Sequence, residues 1–353
     1  MRKIAILLAG VALTAASCDL GGIFSLGSGG RGILKSDDSG ESFHFANKFA
    51  KQKGQFSVSP NALEFDPRNF DVLYLGSSEG IYKSEDAGET WTYILTGIAV
   101  GDIRVDPNSS NIVYAVGISG NNGKVIKSYD SGVTWVDIYS EASKGNTVLT
   151  IDVAKTNSKI IIVGLNSGEI IRSFDEGKTW QLVKDFGNRV IKVRSSGSTV
   201  YALTLNDGLF RSADLGTTWS SISTALASNS LFSRNNASVT VSTFYDLALD
   251  QKQSGVIYLG TQQGLVRSVD NGLNWASITL PAKDNSQLAV SSVAVNPVNS
   301  NNIYASISST LFKSLNGGVT WETKKLPTTA SVRLVLINPE SSNTLYLGIG
   351  QTK

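Results

Sequence analysis

The chain has 353 residues, of which 41% are apolar and 17% charged, and its formal net charge is +2. This composition is globular, and the length is large for one ordinary domain. No basic excess of the kind that nucleic-acid-binding proteins carry is present, so we expect no nucleic acid as partner. A single cysteine excludes an intrachain disulfide framework, and a single histidine, His44, excludes a His-based metal cluster. We expect neither a metal nor a cofactor.

The amino terminus, MRKIAILLAGVALTAASC (1–18), places two positive charges before a run of apolar and small residues. This pattern predicts a secretory signal, and the apolar run is too short for a stable membrane span. Ala15-Ala16-Ser17-Cys18 resembles the lipobox of bacterial lipoproteins, with Ala where Leu is usual. The resemblance implies that Cys18 receives a diacylglyceryl group and becomes the first residue of the mature chain. The alternative is an ordinary signal with an incidental cysteine.

These features divide the chain into three parts. Residues 1–17 are expected to be a lipoprotein signal peptide, 18–31 a Gly-rich tether and 32–353 one folded domain. A flexible tether of this length has a mean reach of about 20 Å. The resemblance therefore implies an extracytoplasmic domain anchored by lipid to a bacterial membrane, on its periplasmic side or at the cell surface. Removal of Arg2 and Lys3 leaves 29 basic and 29 acidic residues.

One eight-residue pattern recurs along the rest of the chain. The copies are SDDSGESF (36–43), SEDAGETW (84–91), SYDSGVTW (128–135), SFDEGKTW (173–180), SADLGTTW (212–219), SVDNGLNW (268–275) and SLNGGVTW (314–321). We call them octets and number their positions 1 to 8. Gly at position 5 supplies the positive φ of a tight turn, and Asp at position 3 can accept hydrogen bonds from turn amides. Trp at position 8 gives the hairpin a large apolar contact.

The octets recur every 39 to 56 residues, and strand patterns fill the intervals. In the unit that ends at Trp135, strands are predicted at 101–107, 111–118, 124–130 and 133–139. Four antiparallel strands per unit of this length are typical of a β-propeller blade. After the last octet, 331–339 and 344–350 supply two strands, and the two missing strands are predicted at 32–38 and 41–47. We therefore predict an all-β, seven-bladed β-propeller closed by strands from both termini.

The octets resemble the Asp-box, or BNR, repeat, S-x-D-x-G-x-T-W. Departures are Phe43 for Trp, Ser42 and Asn274 for Thr, and Asn316 for Asp. The resemblance implies that the octets lie at turns on the outer edge of the propeller, on the face opposite the usual ligand site. The octet carboxylates and their one amide are accordingly interpreted as structural: Asp38, Asp86, Asp130, Asp175, Asp214, Asp270 and Asn316.

Asp-box propellers include sialidases, xyloglucan-cleaving glycosidases, sortilin-type receptors and photosystem II assembly factors. The Arg-Ile-Pro motif of sialidases is not found in this sequence, and sialidases have six blades. Xyloglucanases share the strand pattern, but they hold substrate between two propellers that each supply an acid. The assembly factors are single, seven-bladed, often membrane-tethered propellers that bind protein, and they resemble this chain in length and layout.

The resemblance favours a lipid-anchored, non-catalytic scaffold that binds a membrane or envelope protein. The competing hypothesis is a glycoside hydrolase or a polysaccharide-binding protein. A hydrolase needs two carboxylates about 5–10 Å apart, and the sequence does not locate such a pair. Every Trp is committed to an octet, which counts against a sugar site.

Two candidate binding regions remain. The first is the segment 224–243, which accounts for the longest interval between octets and contains Leu231, Phe232 and Arg234. Long loops on rigid scaffolds often carry recognition. The alternative is a disordered insertion.

The second region is the central channel. The predicted innermost strands carry Arg104, Lys192, Arg194 and Arg333 at comparable depths, and such cations can bind carboxylates or an acidic peptide. The alternative is that each pairs with a neighbouring carboxylate such as Asp102, Asp106 or Asp246.

Overall fold

The computed structural model describes residues 30–224, 226, 241–282 and 289–351, and the backbone alone of 232–234 and 237–239. Cys18, the signal peptide and most of the tether lie outside the described residues. Among the described residues, no helix is long and apolar enough to cross a bilayer.

Seven sheets with four antiparallel strands each, the blades, contain most of the described strands. Blade 1 consists of β4 (Pro60–Asp66), β5 (Asn69–Ser77), β6 (Gly80–Ser84) and β7 (Thr90–Thr96). Blade 2 consists of β8 (Ala99–Asp106), β9 (Ser109–Ser119), β10 (Asn122–Ser128) and β11 (Val136–Ser140). Blade 3 consists of β12 (Val148–Val153), β13 (Ile161–Leu165), β14 (Glu169–Ser173) and β15 (Gln181–Asp185). Blade 4 consists of β16 (Val190–Ser196), β17 (Thr199–Thr204), β18 (Leu209–Ser212) and β19 (Ser220–Ser221).

The remaining blades follow the same order. Blade 5 consists of β22 (Phe244–Leu249), β23 (Ile257–Thr261), β24 (Leu265–Ser268) and β25 (Ala276–Ile278). Blade 6 consists of β26 (Val290–Asn296), β27 (Asn299–Ile307), β28 (Thr310–Ser314) and β29 (Glu322–Lys325). Blade 7 takes β30 (Ser331–Ile337) and β31 (Leu345–Gly350) from the carboxyl end, and β1 (Gly32–Ser36) and β2 (His44–Phe45) from the amino end.

The two ends of the chain close the ring. β1 pairs antiparallel with β31, with Ile33 opposite Gly348 and Leu34 opposite Leu347. The innermost strand of blade 7, β30, contacts the innermost strand of blade 1, β4. The predicted seven-bladed architecture and its closure by strands from both termini are confirmed.

Two additions to the predicted plan are found. A short strand, β3 (Lys48–Phe49), pairs in parallel with the outer strand of blade 1. Trp91 donates its indole N–H to the Ala46 carbonyl 2.9 Å away, which fixes this segment against the blade. A two-stranded hairpin, β20 (Phe232–Arg234) and β21 (Ala237–Val239), lies between blades 4 and 5.

The hydrophobic core of the described residues is divided among the interfaces between neighbouring blades. Between blades 6 and 7, for example, Tyr304 and Leu311 pack with Leu345 and Leu347, and all four are fully buried. Full burial of an aliphatic side chain contributes roughly 1.5–3 kcal/mol. Because each interface has its own apolar cluster, each blade is stabilised by its two neighbours, and closure of the ring leaves no blade with an uncovered face.

The octets form the turns between the third and fourth strands, as predicted. In the octet of blade 2, the Thr134 N–H and hydroxyl donate to the two carboxylate oxygens of Asp130, at 2.7 and 2.6 Å. The Ser128 hydroxyl donates to Asp130 and accepts from the Gly132 N–H, both at 2.8 Å. Trp135 donates to the Gly132 carbonyl, which closes the turn on itself.

The same turn is present in all seven described octets. Carboxylate or amide oxygens at position 3 accept the position 7 N–H in each, at Asp38, Asp86, Asp175, Asp214, Asp270 and Asn316 as at Asp130. The backbone at position 5 has a positive φ, as expected for Gly, with Gly132 at 93°. Position 4 also has a positive φ, which is 58° at Ser131 and 63° at Glu176. The turn therefore has two consecutive residues with left-handed backbone conformation.

Each octet also receives side chains from the preceding blade. Tyr346 on the second strand of blade 7 donates its hydroxyl to the Ala87 carbonyl in the octet of blade 1, at 2.7 Å. Lys35, directly opposite Tyr346, reaches Glu89 of that octet at 2.6 Å. We call such a Tyr and Lys or Arg pair an inter-blade latch. It makes the octet a joint between blades as well as a turn.

Candidate functional site: the central channel

The innermost strand of every blade has an irregularity in its pairing near its start. In each first strand the pairing with the second strand skips one residue. The skipped residues are Asn61, Gly101, Leu149, Ile191, Tyr245, Ser291 and Arg333. We call these seven residues the channel mouth. First and third strands of a blade run in the same direction, and the octets follow the third strands. The channel mouth, where the first strands begin, is therefore on the face opposite the octets.

The four predicted channel cations lie at three levels, not one. Arg333 belongs to the channel mouth, and Lys192 follows the mouth residue of its own strand. Arg104 and Arg194 occupy equivalent positions two residues further along. Arg104 and Arg194 meet through Asp102, whereas no contact joins Arg333 to the other three among the described residues.

Arg104 lies at the centre of an ion-pair network. Its guanidinium contacts Glu64 of blade 1 at 2.7 Å, Asp152 of blade 3 at 3.4 Å and Asp102 of its own blade at 3.5 Å. Arg194 contacts the other oxygen of Asp102 at 3.2 Å, from two blades away. Arg104 and Arg194 therefore pair with neighbouring carboxylates, as the alternative interpretation of the channel cations expected.

Burial and charge act in opposite directions on these carboxyl groups. Burial raises the pKa of Glu64 above its usual range, and the attraction of Arg104 and Arg194 is too weak to offset it. Burial also acts to raise the pKa of Asp102, but Arg104 and Arg194 together hold it below its usual range. Two neighbouring carboxyl groups thus have pKa values shifted in opposite directions.

Asp102 and Asp246 occupy equivalent positions and make equivalent bonds to the next blade. Asp246 accepts from its own strand at the Leu247 N–H (2.9 Å) and from blade 6 at the Ser292 hydroxyl (3.0 Å) and the Val293 N–H (2.9 Å). Asp246 also binds Lys192, whose pKa burial lowers in spite of this partner. These carboxylates join blades.

Asp102 makes the corresponding set of bonds to the Ile103 N–H (3.0 Å), the Thr150 hydroxyl (3.0 Å) and the Ile151 N–H (3.3 Å). Asp152 continues the series to blade 4, where it accepts from the Ser195 N–H at 2.8 Å and from the Ser195 hydroxyl. Since these oxygens accept two or more hydrogen bonds across blade interfaces, their lone pairs are already used in holding the ring together.

Arg333 differs from the other three channel cations. Its Nη2 donates to the amide oxygen of Asn61 at 2.9 Å, and Asn61 in turn donates to the Val100 carbonyl at 2.8 Å. No carboxylate of the described residues lies within ion-pair distance of Arg333. Burial lowers its pKa, and no anionic neighbour offsets this effect. Its positive charge at the channel mouth is therefore held in place by a neutral amide and has no anionic partner among the described residues.

The long segment before blade 5 lies mostly outside the described residues. Leu231 lies outside the described residues. Phe232 and Arg234 lie on β20, and only their backbone is described. A binding role for these three residues stays a prediction.

A group of potential metal ligands occurs on the octet face. Oxygen and nitrogen atoms of Asp37, His44 and Glu89 lie within 4.8 Å of one another, and all three residues are exposed. The ammonium group of Lys35 is 2.6 Å from Glu89 and 3.6 Å from Asp37. Lysine already supplies the positive charge at this cluster, which makes it part of the seam between blades 7 and 1.

Sequence reasoning missed the inter-blade latches and the channel carboxylates' role in joining blades. A signal for the latches was available, because Lys or Arg directly precedes the first residue of every octet. Those residues are Lys35, Lys83, Lys127, Arg172, Arg211, Arg267 and Lys313. Tyr occupies the paired position on the second strand in six of the seven blades, at Tyr74, Tyr114, Tyr201, Tyr258, Tyr304 and Tyr346.

Comparison with known proteins gives sequence and fold relatives. No family model matches the chain. A xyloglucanase of Hypocrea jecorina (strain QM6a) is 25% identical over an alignment of 267 residues, which covers 70% of this chain and 29% of the xyloglucanase. The chain therefore spans less than a third of that enzyme's length.

Solved structures share the propeller fold at low sequence identity. A GH74 xyloglucanase from Xanthomonas campestris has a TM-score of 0.67 and 18% identity, over 83% of this chain and 51% of the enzyme. The structure of YCF48 bound to a D1 peptide has a TM-score of 0.61 and 16% identity, over 83% of this chain and 94% of YCF48. YCF48 from Cyanidioschyzon merolae has a TM-score of 0.57, with 12% identity over 83% of this chain and 95% of that one. The chain is thus a seven-bladed β-propeller similar in fold to GH74 xyloglucanases and to YCF48.

Proposed function

We propose that this chain is a non-catalytic binding propeller, held outside the cytoplasm by lipid on Cys18, whose partner is a membrane or envelope protein. The mouth of the central channel is the binding face, and Arg333 receives a carboxylate of the partner there.

The observation that carries the proposal is that the channel carboxylates accept hydrogen bonds from the neighbouring blade. Asp102, Asp152 and Asp246 accept hydrogen bonds from the next blade, so a change in their protonation or orientation would loosen the ring. Catalysis of glycosyl transfer needs carboxyl groups that exchange protons or attack substrate. Carboxylates committed to blade interfaces are poorly suited to either task.

Arg333 supplies what a binding site needs. A planar guanidinium binds a carboxylate through two parallel hydrogen bonds, and within the described part of the chain this one has only a neutral side-chain partner. A further mouth residue, Tyr245, is exposed on the same face. The likeness to YCF48 bound to a D1 peptide supports a peptide ligand, because that propeller is matched over nearly its whole length.

The test is quantitative capture of the partner from detergent-extracted membranes of the source bacterium by tagged protein. We expect one membrane or envelope protein at a stoichiometric ratio with the wild type, and its loss with Arg333→Glu. The matched control is Arg68→Glu, which reverses the charge of an exposed arginine on the octet face. Equal capture by the Arg333 and Arg68 variants would refute the channel mouth, and absence of any stoichiometric partner would refute the function.

The same capture tests the long segment. Deletion of 228–238 removes most of it without touching the strands of blades 4 and 5. Loss of the partner would extend the binding face to this segment, and unchanged capture would exclude it.

A second candidate function is hydrolysis or binding of a polysaccharide. It is favoured by the 25% identity to a xyloglucanase and by the opposed pKa shifts of Glu64 and Asp102, since a general acid needs a raised pKa. Under this hypothesis Glu64 is the acid.

A further inference from the structure

The additional strand of blade 1, β3, belongs to a hairpin that is rich in lysine. Lys48 pairs with Gln55, which makes 48–55 a hairpin at the outer edge of the blade 1 sheet. Three of its residues are exposed lysines, namely Lys48, Lys51 and Lys53. We call residues 48–55 the lysine hairpin.

Two aromatic side chains fix the lysine hairpin to the blade. Phe49 and Phe56 contact each other edge to face, with ring centroids 5.9 Å apart, and Phe56 is stacked on Tyr82 at 4.9 Å. Phe56 belongs to the hydrophobic cluster of blades 7 and 1, and Phe49 packs against it. The hairpin is therefore held to the outside of blade 1 by its apolar side chains, while its lysines remain in solvent.

The lysines of the hairpin have no anionic partner among the described residues. The sequence has no Asp or Glu between Glu41 and Glu64, and the strand that β3 pairs with, β7, has none either. Glu89, the residue before β7, is bound by Lys35 at 2.6 Å. The positive charge of the hairpin is therefore available to an external anion.

The density of cations in the sequence does not by itself distinguish the hairpin, because residues 189–194 also have three cations in six residues. In that run, however, Lys192 and Arg194 are paired with Asp246 and Asp102. The chain after the predicted signal peptide has 29 basic and 29 acidic residues, so no overall charge draws it to an anionic surface. The lysine hairpin is a local excess of unpaired charge on a neutral protein.

The chain enters the propeller beside this hairpin. Asn47 donates its side-chain amide to the Arg31 carbonyl at 3.1 Å and accepts from the Ile33 N–H at 2.7 Å. Asn47 is buried, so it fixes the start of β1 next to Lys48.

This position brings the hairpin within reach of a bilayer that holds Cys18. Gly30 is twelve residues after Cys18. A chain of that length spans at most about 40 Å, and about 20 Å on average when it is flexible. A membrane that anchors the amino end is therefore close to the hairpin at all times.

We infer that the lysine hairpin binds the anionic headgroups of the bilayer in which Cys18 is anchored. The inference rests on the lipid anchor of the proposed function, but not on its partner protein. Basic segments near a bilayer are attracted to anionic lipids, and an acyl anchor combined with a basic segment holds a protein more firmly than either does alone. β3 and the channel-lining strand β4 lie at opposite edges of the blade 1 sheet, so the lipid contact and the channel mouth use different parts of the blade.

Cosedimentation with vesicles tests the inference in the absence of acyl chains. The protein used is residues 19–353, which contains every strand of the closed ring. We expect it to bind vesicles of phosphatidylcholine mixed with phosphatidylglycerol, less strongly as salt is added, and not to bind phosphatidylcholine alone. Replacement of the three hairpin lysines by Gln should lower the partition coefficient on the order of a hundredfold, since each lysine near an anionic surface contributes about fivefold.

The matched control removes the same charge elsewhere. It combines Lys144→Gln, Lys159→Gln and Lys252→Gln, three exposed lysines that form no ion pair within the described ranges. This variant should bind vesicles like the wild type. Thermal unfolding shows whether the variants are folded, and if the triple hairpin variant is not, the double variant Lys51→Gln and Lys53→Gln decides.

Three results would overturn the inference: equal losses in the hairpin and control variants, equal binding of the wild type to both kinds of vesicle, and binding to neither. Capture of the partner protein is measured separately, because the hairpin variant leaves Arg333 unchanged. Partner capture without vesicle binding would refute the lipid contact alone. Vesicle binding through the hairpin without any captured partner would support the lipid contact and refute the proposed function.

Discussion

At the scale of single residues, the octet is a turn in which every recurring position of its pattern has a defined bonding role. Position 1 accepts from position 5, position 3 accepts from position 7, and position 8 donates to position 5. The sequence pattern predicted these roles for Asp and Gly because their turn chemistry is local. It did not predict the positive φ at position 4, since Ser131, Glu176 and Leu215 are unlike one another and are not residues that favour it.

Substitution of an octet glycine tests this turn. Gly132 has a φ of 93°, and a Cβ there would lie 2.8 Å from Ile94 Cδ1 of the preceding blade. Gly132→Val should therefore destabilise the protein by more than about 1 kcal/mol, because a β-branched residue resists positive φ. Thermal unfolding checks it, and a wild-type melting temperature would contradict the turn assignment.

Acid sensitivity is expected from the octet aspartates. Hydrogen bonds from the Thr134 hydroxyl and N–H lower the pKa of Asp130 from 3.8 to about 2, and Thr179 does the same for Asp175. A carboxyl group with a lowered folded-state pKa stabilises the protein fully above its unfolded pKa, and this stability is lost as pH falls through the folded pKa. Stability should therefore decline between about pH 4 and pH 2.

Asp130→Asn isolates one octet in this titration. Asn fits the turn, as Asn316 shows in blade 6, but it cannot ionise. The difference in unfolding free energy between wild type and variant should be largest above pH 4 and should shrink towards pH 2. Urea unfolding at several pH values measures it, and a difference independent of pH would contradict the role of the ionised carboxylate.

At the scale of elements, the inter-blade latch explains why the second and third strands carry Tyr beside Lys or Arg. The pair reaches one blade further than the hairpin to which it belongs, so neither local propensity nor strand periodicity reveals its partner. The same limit applies to the channel. The innermost strands and their cations were predictable, but Glu64 and Asp152 as partners of Arg104 depend on how neighbouring blades pack.

A pair of tyrosine substitutions measures the latch. Tyr346 donates to the Ala87 carbonyl, whereas the equivalent Tyr114 hydroxyl is buried without a hydrogen-bond partner in the described residues. Tyr346→Phe should lower the unfolding free energy by about 1 kcal/mol. Tyr114→Phe should cost nothing or should stabilise, since it removes an unsatisfied polar group. Equal losses in urea unfolding would show that the hydroxyl bond to the next blade is not the cause.

At the scale of the whole molecule, the number of blades and the closure were predictable because the octets count the units and the termini supply complementary halves of one blade. β3 and the hairpin β20–β21 were not predicted, since they lie outside the repeating unit and have no octet to mark them. The exposure of hydrophobic side chains at octet positions 2 and 6 was also missed, because it follows only from the turn's orientation. Function is the least determined at this scale, since single propellers of one fold serve both binding and catalysis.

In the proposed function, the channel carboxylates hold the ring together and the protein binds its partner without catalysis. The most direct measurement is release of reducing sugar from xyloglucan and related glucans by the purified protein and by its Glu64→Gln variant. We expect no turnover by either protein, and thermal unfolding verifies that both are folded. Sustained turnover by the wild type that Glu64→Gln abolishes would contradict it and would establish Glu64 as a catalytic acid.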